Sequence, residues 1–473
     1  MQKRPMFADS KMNYLSWLRL SVVTALCIML VTISFSAFAI EPRAHVFAEL
    51  ATDPKGIFCL IVFLLSYVLV ISEEKTQLRK SKPVMLGAGI IWLVIAYAAP
   101  QYGVNKEQLH KAINHGLDEY SSLLLFLLCA MTYISVLNKT NVFASMRSWL
   151  VNLGLSYRQL FWVTGLITFF LSPIADNLTT ALVMGSVVLA IGVKKPTFVS
   201  ITMVNIVCAT NAGGAFSPFG DITTLMVWQS GQVEFSQFFT LFIPALVTYL
   251  IPCLIMSFFV PSGVPMPMKE HTVMARGGKR TIFLGLLSIT MAITFEQFLG
   301  LPPFMGMMMG MSLLMFLTYH LRRTRVDGEP KYDIFEDVRS AEWDTLLFFF
   351  GVMFSVGALT FIGYMSLASD YMYGTWGATQ TNLVLGAISA VIDNIPVMFS
   401  VLSMQPQMDV NQWLLITLTC GVGGSLLSVG SAAGVALMGS AKGQYTFMSH
   451  LRWTPVIALG YGAGIYTHLF LNG

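Results

Sequence analysis

The sequence predicts an all-α polytopic membrane protein made of two inverted repeats, and three observations carry this prediction. Of the 473 residues 55% are hydrophobic and only 11% are charged, which excludes a water-soluble domain. Apolar runs such as IFCLIVFLLSYVLVI (57–71) suit helices of about 20 residues and lack the alternation of a transmembrane barrel. Finally, a pair of polar motifs interrupts the apolar runs twice, in the same order each time.

The first forty residues combine a basic start, the apolar run SVVTALCIMLVTISF and the small-residue segment SAFA. This order is typical of a cleaved signal peptide, and it also fits an extra N-terminal helix. In both cases Ile40 emerges on the outer side. We predict that the rest of the chain divides into a first repeat (41–260), a cytoplasmic linker (261–280) and a second repeat (281–473).

Two kinds of apolar segment follow. Uninterrupted segments that we predict to span the membrane lie at 57–72, 83–99, 121–138, 237–260, 281–299, 303–320, 343–363 and 453–470. Four others are broken near the middle. A polar tip interrupts 159–192 at residues 173–177 and 381–404 at residues 393–396, and a glycine-rich stretch interrupts 198–229 and 411–441. The cysteines lie in apolar runs without metal-ligand spacing, so they are predicted to be packing residues: Cys27, Cys59, Cys129, Cys208, Cys253 and Cys420.

Positive charge decides how the segments are threaded, because cytoplasmic loops carry an excess of Lys and Arg. If 159–192 is a re-entrant hairpin, Lys194 and Lys195 and the other basic clusters all face the cytoplasm. A full span would place both lysines outside. In this threading the residues between the second and third spans, which include His115, form an outer loop, and the charged segment 321–342 is a solvated cytoplasmic linker.

The threading also reveals a duplication. IADNLTT (174–180) followed by NAGGAFSPFGDITT (211–224) matches VIDNIPV (391–397) followed by GVGGSLLSVGSAAG (421–434). The basic loops fall at opposite ends of the first span in the two halves, so the repeats are inverted. Inverted repeats bring their broken segments together near the bilayer midplane, where transporters bind their substrates.

The breaks supply oxygen ligands. A carboxylate at this depth is costly and therefore marks a functional site. Almost every polar side chain there offers an oxygen, which favours a hard cation, and no Lys or Arg lies in any break to hold an anion. We predict ion- or proton-binding by Asp176, Asn177, Asn211, Asp221, Thr223, Thr224, Ser389, Asp393, Asn394, Ser428 and Ser431, and support of the breaks by Ser172, Pro173, Gly213, Gly214, Gly423 and Gly424.

Among the carboxylates, Asp176 and Asp393 are the main candidates for binding Na+, because they recur at both polar tips. Asp221 is less secure, since Ser431 occupies its place in the second half. The tip aspartates could instead cap helices, and the threonines could bond to carbonyls of the preceding turn. His115, near Asp118 and Glu119, could sense external pH or have no special role.

The motifs SPIADNLTTALVMG (172–185), NAGGAFSPFGDITT, AVIDNIPV (390–397) and GGSLLSVGSAAGVALMG (423–439) together resemble NhaD-type Na+/H+ antiporters of the ion transporter superfamily. The resemblance extends from about residue 57 to the end. It implies two hairpins and two unwound helices, similar to the dicarboxylate/sodium symporters, and a transport domain that moves against a dimeric scaffold. It also implies a multi-pass protein of the inner membrane, surrounded by lipid.

The expected function is secondary transport, in which Na+ and Li+ leave in exchange for inward H+ and compete with it for the buried aspartates. We expect no enzyme activity and no cofactor, nucleotide or nucleic acid. A Na+-coupled carboxylate symporter is the alternative on the same fold, although carboxylates at both tips would repel its anionic substrate. An intramembrane aspartyl protease is a weaker alternative. FGD (219–221) resembles one of its motifs, but the Tyr-Asp pair of its other motif is absent from the other membrane runs.

The threading can be tested with single cysteines in a cysteine-free background. A cysteine at position 194 should react with an impermeant thiol reagent only from the cytoplasmic side, and one at position 405 only from outside. Reaction from the opposite side at either position would contradict the hairpins and, with them, the inverted repeat.

Overall fold

The computed structural model describes residues 48–192, 195–265, 272–326, 328–441 and 443–473, and it contains no strand in these ranges. Nine of the helices within them are long and apolar enough to cross a membrane. The chain is therefore an all-helical, multi-pass membrane protein, as predicted. The predicted leader at 1–40 and Lys194 lie outside the described residues.

The α-helices are numbered here in chain order. They are α1 Ala48–Thr52, α2 Pro54–Ile71, α3 Glu73–Thr76, α4 Ser81–Ala98, α5 Lys106–Lys139, α6 Val142–Asn152, α7 Tyr157–Ala175, α8 Asn177–Ile191, α9 Pro196–Gly214, α10 Ile222–Gln229, α11 Phe242–Ser257, α12 Gly278–Leu299, α13 Pro303–Arg323, α14 Ile334–Arg339, α15 Trp343–Ile362, α16 Tyr364–Tyr371, α17 Ala378–Ile388, α18 Asn394–Met404, α19 Val410–Gly423, α20 Ala432–Ser440, α21 Phe447–Leu451 and α22 Thr454–Asn472.

All eight predicted spans are helical. Seven are among the nine helices that are apolar enough to cross a membrane, whereas α22 is less apolar and is not among them. The cysteines of the described residues are buried and free, as predicted: Cys59, Cys129, Cys208, Cys253 and Cys420.

The described residues form two compact units. The first consists of the described residues up to Ser121 together with Glu342–Ala378 and Phe399–Gln407. Its core contains buried Ile91 and Leu359. The second consists of Ser122–Ala341, Thr379–Met398 and Met408–Gly473, and it contains the break of each of the four broken segments.

Helix α5 corrects one prediction. Residues 106–120 were expected in an outer loop, but they form the first turns of a single helix that ends at Lys139. Pairs four residues apart stabilise this polar end, since Glu107 lies 3.0 Å from Lys111 and His115 lies 3.4 Å from Glu119. The prediction was wrong because it relied on the charges of this stretch and overlooked Leu109, Ile113 and Leu117, which recur every four residues as on one face of a helix.

The charged segment 321–342 corrects another. It was expected to be solvated, yet α14 lies within it and Asp337 is only 2% exposed. Lys139 Nζ lies 2.9 Å from Asp337 Oδ1, and the Ser135 hydroxyl donates to the same oxygen at 2.9 Å. The side chain of Asp337 can be buried because Lys139 and Ser135 provide the hydrogen bonds that water would otherwise supply.

We expect Asp337→Ala to lower stability by about 2 kcal/mol, because it leaves the half-buried Lys139 ammonium without its main partner. Glu336→Ala is the matched control, since Glu336 is 66% exposed and 4.0 Å from Lys139. The control should stay within about 0.5 kcal/mol of the wild type. Melting temperatures in detergent test this, and equal shifts for the two variants would show that the pair contributes nothing.

Candidate ion-binding site

All four predicted breaks are present in the second unit. Asp176 separates α7 from α8, and residues 215–221 separate α9 from α10. In the second half, residues 389–393 separate α17 from α18, and residues 424–431 separate α19 from α20. The residues predicted to bind ions therefore lie at helix ends or in non-helical segments, where backbone N–H and C=O groups are not all used in helical hydrogen bonds.

Asp221 lies at the centre of these breaks. Its Oδ2 atom accepts hydrogen bonds from Asn177 Nδ2 at 2.8 Å and from Asn394 Nδ2 at 3.1 Å. Its Oδ1 atom caps α10 by accepting from the Thr223 backbone N–H at 3.1 Å. The carboxylate is 8% exposed. One oxygen of Asp221 thus joins the polar tips of both halves, which gives this residue the central place that the sequence had not assigned to it.

Asn177 is held in the orientation that this contact needs. The Ser172 hydroxyl lies 2.6 Å from Asn177 Oδ1 and 2.8 Å from the Thr210 carbonyl oxygen. Because Oδ1 receives the hydroxyl, Nδ2 is the end that faces Asp221. A Cβ atom at Gly214 would lie 2.3 Å from Asn177 Oδ1, so a larger residue at 214 would displace the Asn177 amide.

Asp176 has an unusual backbone. Its φ of 55° and ψ of 160° belong to a region that L-residues rarely adopt. Its side chain caps α8, accepting from the Thr179 backbone N–H at 2.9 Å and from the Thr179 hydroxyl at 2.8 Å. Capping alone therefore accounts for these two contacts, whereas the strained backbone at a polar tip is typical of functional sites.

Asn211 joins the two glycine-rich breaks. Its Oδ1 atom accepts from the Ser431 hydroxyl at 3.0 Å, and its Nδ2 atom donates to the Ser425 hydroxyl at 2.9 Å. All three side chains are buried. Ser425 was not among the predicted residues, although its position in GGSLLSVGS (423–431) could have indicated it.

The two halves repeat several contacts. Ser172 and Ser389 each lie four residues before a tip aspartate, and each hydroxyl reaches a carbonyl of the helix that precedes the glycine-rich break, at Thr210 and Cys420 respectively. A Cβ atom at Gly213 would lie 2.3 Å from the Phe169 carbonyl oxygen, and one at Gly423 would lie 2.2 Å from that of Gly386. Each tip therefore packs against its neighbouring break in the same way.

Comparison with known proteins identifies the family to which the chain belongs. Residues 67–421 match the model of a family described as citrate transporters. The chain is 51% identical to the Na(+)/H(+) antiporter NhaD of Vibrio cholerae over 439 residues, 88% of this chain and 92% of that protein. It is 49% identical to NhaD of Alkalimonas amylolytica over 94% of this chain and 96% of that protein, and 32% identical to sodium/proton antiporter 1 of Arabidopsis thaliana over 87% and 72%.

The chain belongs to the NhaD family of antiporters. Its relatives are named as transporters, so this NhaD-family chain is a transporter and not an enzyme.

The other predicted hydroxyls have different surroundings. Thr224 donates to backbone carbonyl oxygens of Ser217 and Asp221, and the Ser428 hydroxyl lies 3.3 Å from Met438 Sδ. The Thr223 hydroxyl lies beside the Asp221 carboxylate, is fully buried and has no partner of acceptable geometry within the described part of the chain. Of these three hydroxyls, the Thr223 hydroxyl is the best placed to bind an ion in this NhaD-family site.

Pro173 and His115 are two further residues of the predicted set. The carbonyl of Pro173 accepts a hydrogen bond from the Ser217 hydroxyl at 2.9 Å, which joins the first tip to the first glycine-rich break. His115 lies in the first unit on α5, with 73% of its side chain exposed.

Proposed function

We propose that this NhaD-family chain exports Na+ in exchange for inward H+, and that both ions use one buried site. The observation that carries the proposal is the Asp221 carboxylate, which is buried and receives hydrogen bonds from the amides of both tips. Amide and backbone donors are neutral, so they stabilise the carboxylate without cancelling its charge. A proton or a metal cation can cancel it, and the two then exclude each other.

Further carboxylates and neutral oxygens complete the proposed site. Asp393 is close enough for its negative charge to act on Asp221, which increases the need for a cation between them. We propose that Asp176 also takes part, beyond its role as a cap. Asn211, Thr223 and Ser431 would supply neutral oxygens, and such oxygens also suit Li+, which we expect to be transported.

The architecture that we propose for this exchange is a pair of inverted repeats, 41–260 and 281–473, joined by a cytoplasmic linker at 261–280. Each repeat has one re-entrant hairpin and one discontinuous helix. Ser389 repeats the contact that Ser172 makes with a neighbouring helix, and Gly423 repeats the close approach of Gly213, which supports this duplication. We further propose that the protein is a homodimer in the inner membrane and needs no cofactor, nucleotide or nucleic acid.

Na+-coupled uptake of a carboxylate such as citrate is the second candidate, because the matching family model is described as a citrate transporter. A carboxylate substrate needs cationic or neutral donors at its site. The four breaks contain no Lys or Arg, and both tips carry an aspartate. These residues favour cation exchange.

A binding measurement tests the shared site. Na+ added to purified protein in weak buffer should release protons, and the apparent Na+ dissociation constant should rise as the pH falls. The slope of its logarithm against pH should approach about one if one carboxylate couples and about two if two do. Na+ affinity that is independent of pH, without proton release, would require separate sites for the two ions.

Transport in everted vesicles supplies the control for this experiment. Na+ or Li+ should dissipate a preformed proton gradient, whereas labelled citrate should not accumulate with Na+ in right-side-out vesicles. Citrate uptake without cation-proton exchange would favour the second candidate instead.

Removing one titrating group at a time tests the carboxylates. We expect Asp221→Asn, Asp176→Asn and Asp393→Asn each to lower exchange by more than about tenfold, because asparagine keeps the size of the side chain but cannot exchange a proton for Na+. Asp333→Asn is the matched control, since Asp333 caps α14, asparagine caps equally well, and the 4.0 Å pair of Asp333 with the exposed Arg322 contributes little. Retained exchange in a variant would remove that carboxylate from the site.

A further inference from the structure

The two glycine-rich breaks can be compared residue by residue. NAGGAFSPFGD (211–221) and GVGGSLLSVGS (421–431) have the same length and share a Gly-Gly pair and a later glycine. In this alignment Asn211 corresponds to Gly421, Ala215 to Ser425, and Asp221 to Ser431.

The contacts correspond in the same way. Asn211 bonds to Ser425 and Ser431 in the opposite half. A Cβ atom at Gly421 would have Ala215 Cβ at 3.7 Å and Asp221 Oδ2 at 3.8 Å. Gly421 therefore faces the partners equivalent to those of Asn211, but it has no side chain to fill the space in front of them.

Neither backbone nor packing requires glycine at 421. It lies within α19, its φ is not positive, and a Cβ atom would meet its neighbours only at ordinary contact distances. A glycine in a helix interior costs about 0.5–1 kcal/mol relative to alanine. Gly423, two residues later, is different because a carbonyl oxygen would lie 2.2 Å from its Cβ atom. The free space at Gly421 is therefore the feature that needs an explanation.

We infer that Gly421 determines cation specificity, because its missing side chain leaves the space in which Na+ binds between Asp221 Oδ2 and Thr223 Oγ1. The Cβ position at 421 lies 4.0 Å from this Thr223 oxygen, which is buried beside the Asp221 carboxylate but makes no hydrogen bond of good geometry within the described part of the chain. A carboxylate and a hydroxyl oxygen are suitable ligands for a hard monovalent cation. The inference rests on the proposed exchange and names the residue that sets the size of its site.

Substitutions of graded size at Gly421 test the inference. Gly421→Ala adds one methyl group in ordinary contact, so the half-saturating Na+ concentration should rise about tenfold and that for Li+, the smaller ion, should rise less. Gly421→Asn places an amide group next to the Asp221 side chain, as Asn211 places one next to Ser431. This variant should abolish Na+-induced proton release from the purified protein. Gly439→Ala is the control, because no atom lies within 4 Å of its Cβ position, and it should leave both values unchanged.

Thr223 gives an independent test if a substitution at Gly421 prevents folding. Thr223→Val keeps the shape of the side chain and should weaken Na+ binding, and Thr223→Ser, which keeps the hydroxyl, should recover most of the affinity that Thr223→Val loses. Unchanged Na+ and Li+ values in a folded Gly421→Ala protein, or in Thr223→Val, would overturn the inference and leave the proposed exchange intact. A wild-type protein that exchanges neither ion would instead refute the proposed exchange.

Discussion

A buried carboxylate surrounded by neutral donors is the constraint on which the other features of the site depend. Hydrogen bonds from two asparagines and one backbone amide orient Asp221, but these neutral donors do not cancel the negative charge of its ionised form. In a poorly hydrated environment that charge is costly unless a cation or a proton accompanies it. Because the same oxygen joins both tips, the species that neutralises it also influences how the tips are held.

The breaks that carry the site stabilise one another. Unwinding a helix within a membrane exposes carbonyl and amide groups that lipid cannot satisfy. Here the Ser172 hydroxyl reaches the Thr210 carbonyl, the Ser217 hydroxyl reaches that of Pro173, and the Ser389 hydroxyl reaches that of Cys420. Each break supplies hydrogen-bond partners for its neighbour, so the residues that build the fold also build the site.

The sequence predicted the four breaks and the helical class because polar residues and glycines within apolar runs are strong local signals. Asp221 was predicted to be less important than the tip aspartates, because these recur in both halves whereas Ser431 occupies the place equivalent to Asp221. The convergence of Asn177 and Asn394 on Asp221 is a three-dimensional relation that no spacing contains. The start of α5 was missed because its charges drew attention away from the helical spacing of Leu109 and Ile113, and buried Asp337 was missed because its pairing with Lys139 exists only in three dimensions.

The single carboxylate at the junction of the tips has a consequence for the energy source of transport. Trading one proton for one Na+ at Asp221 moves no net charge across the bilayer. The membrane voltage, about 2.3 kcal/mol per charge for each 100 mV, would then do no work on the cycle. Only the difference in proton concentration would drive export, unless Asp176 or Asp393 carries a second proton. The number of titrating aspartates therefore decides whether the transporter can extrude Na+ into an alkaline medium, where voltage is the remaining force.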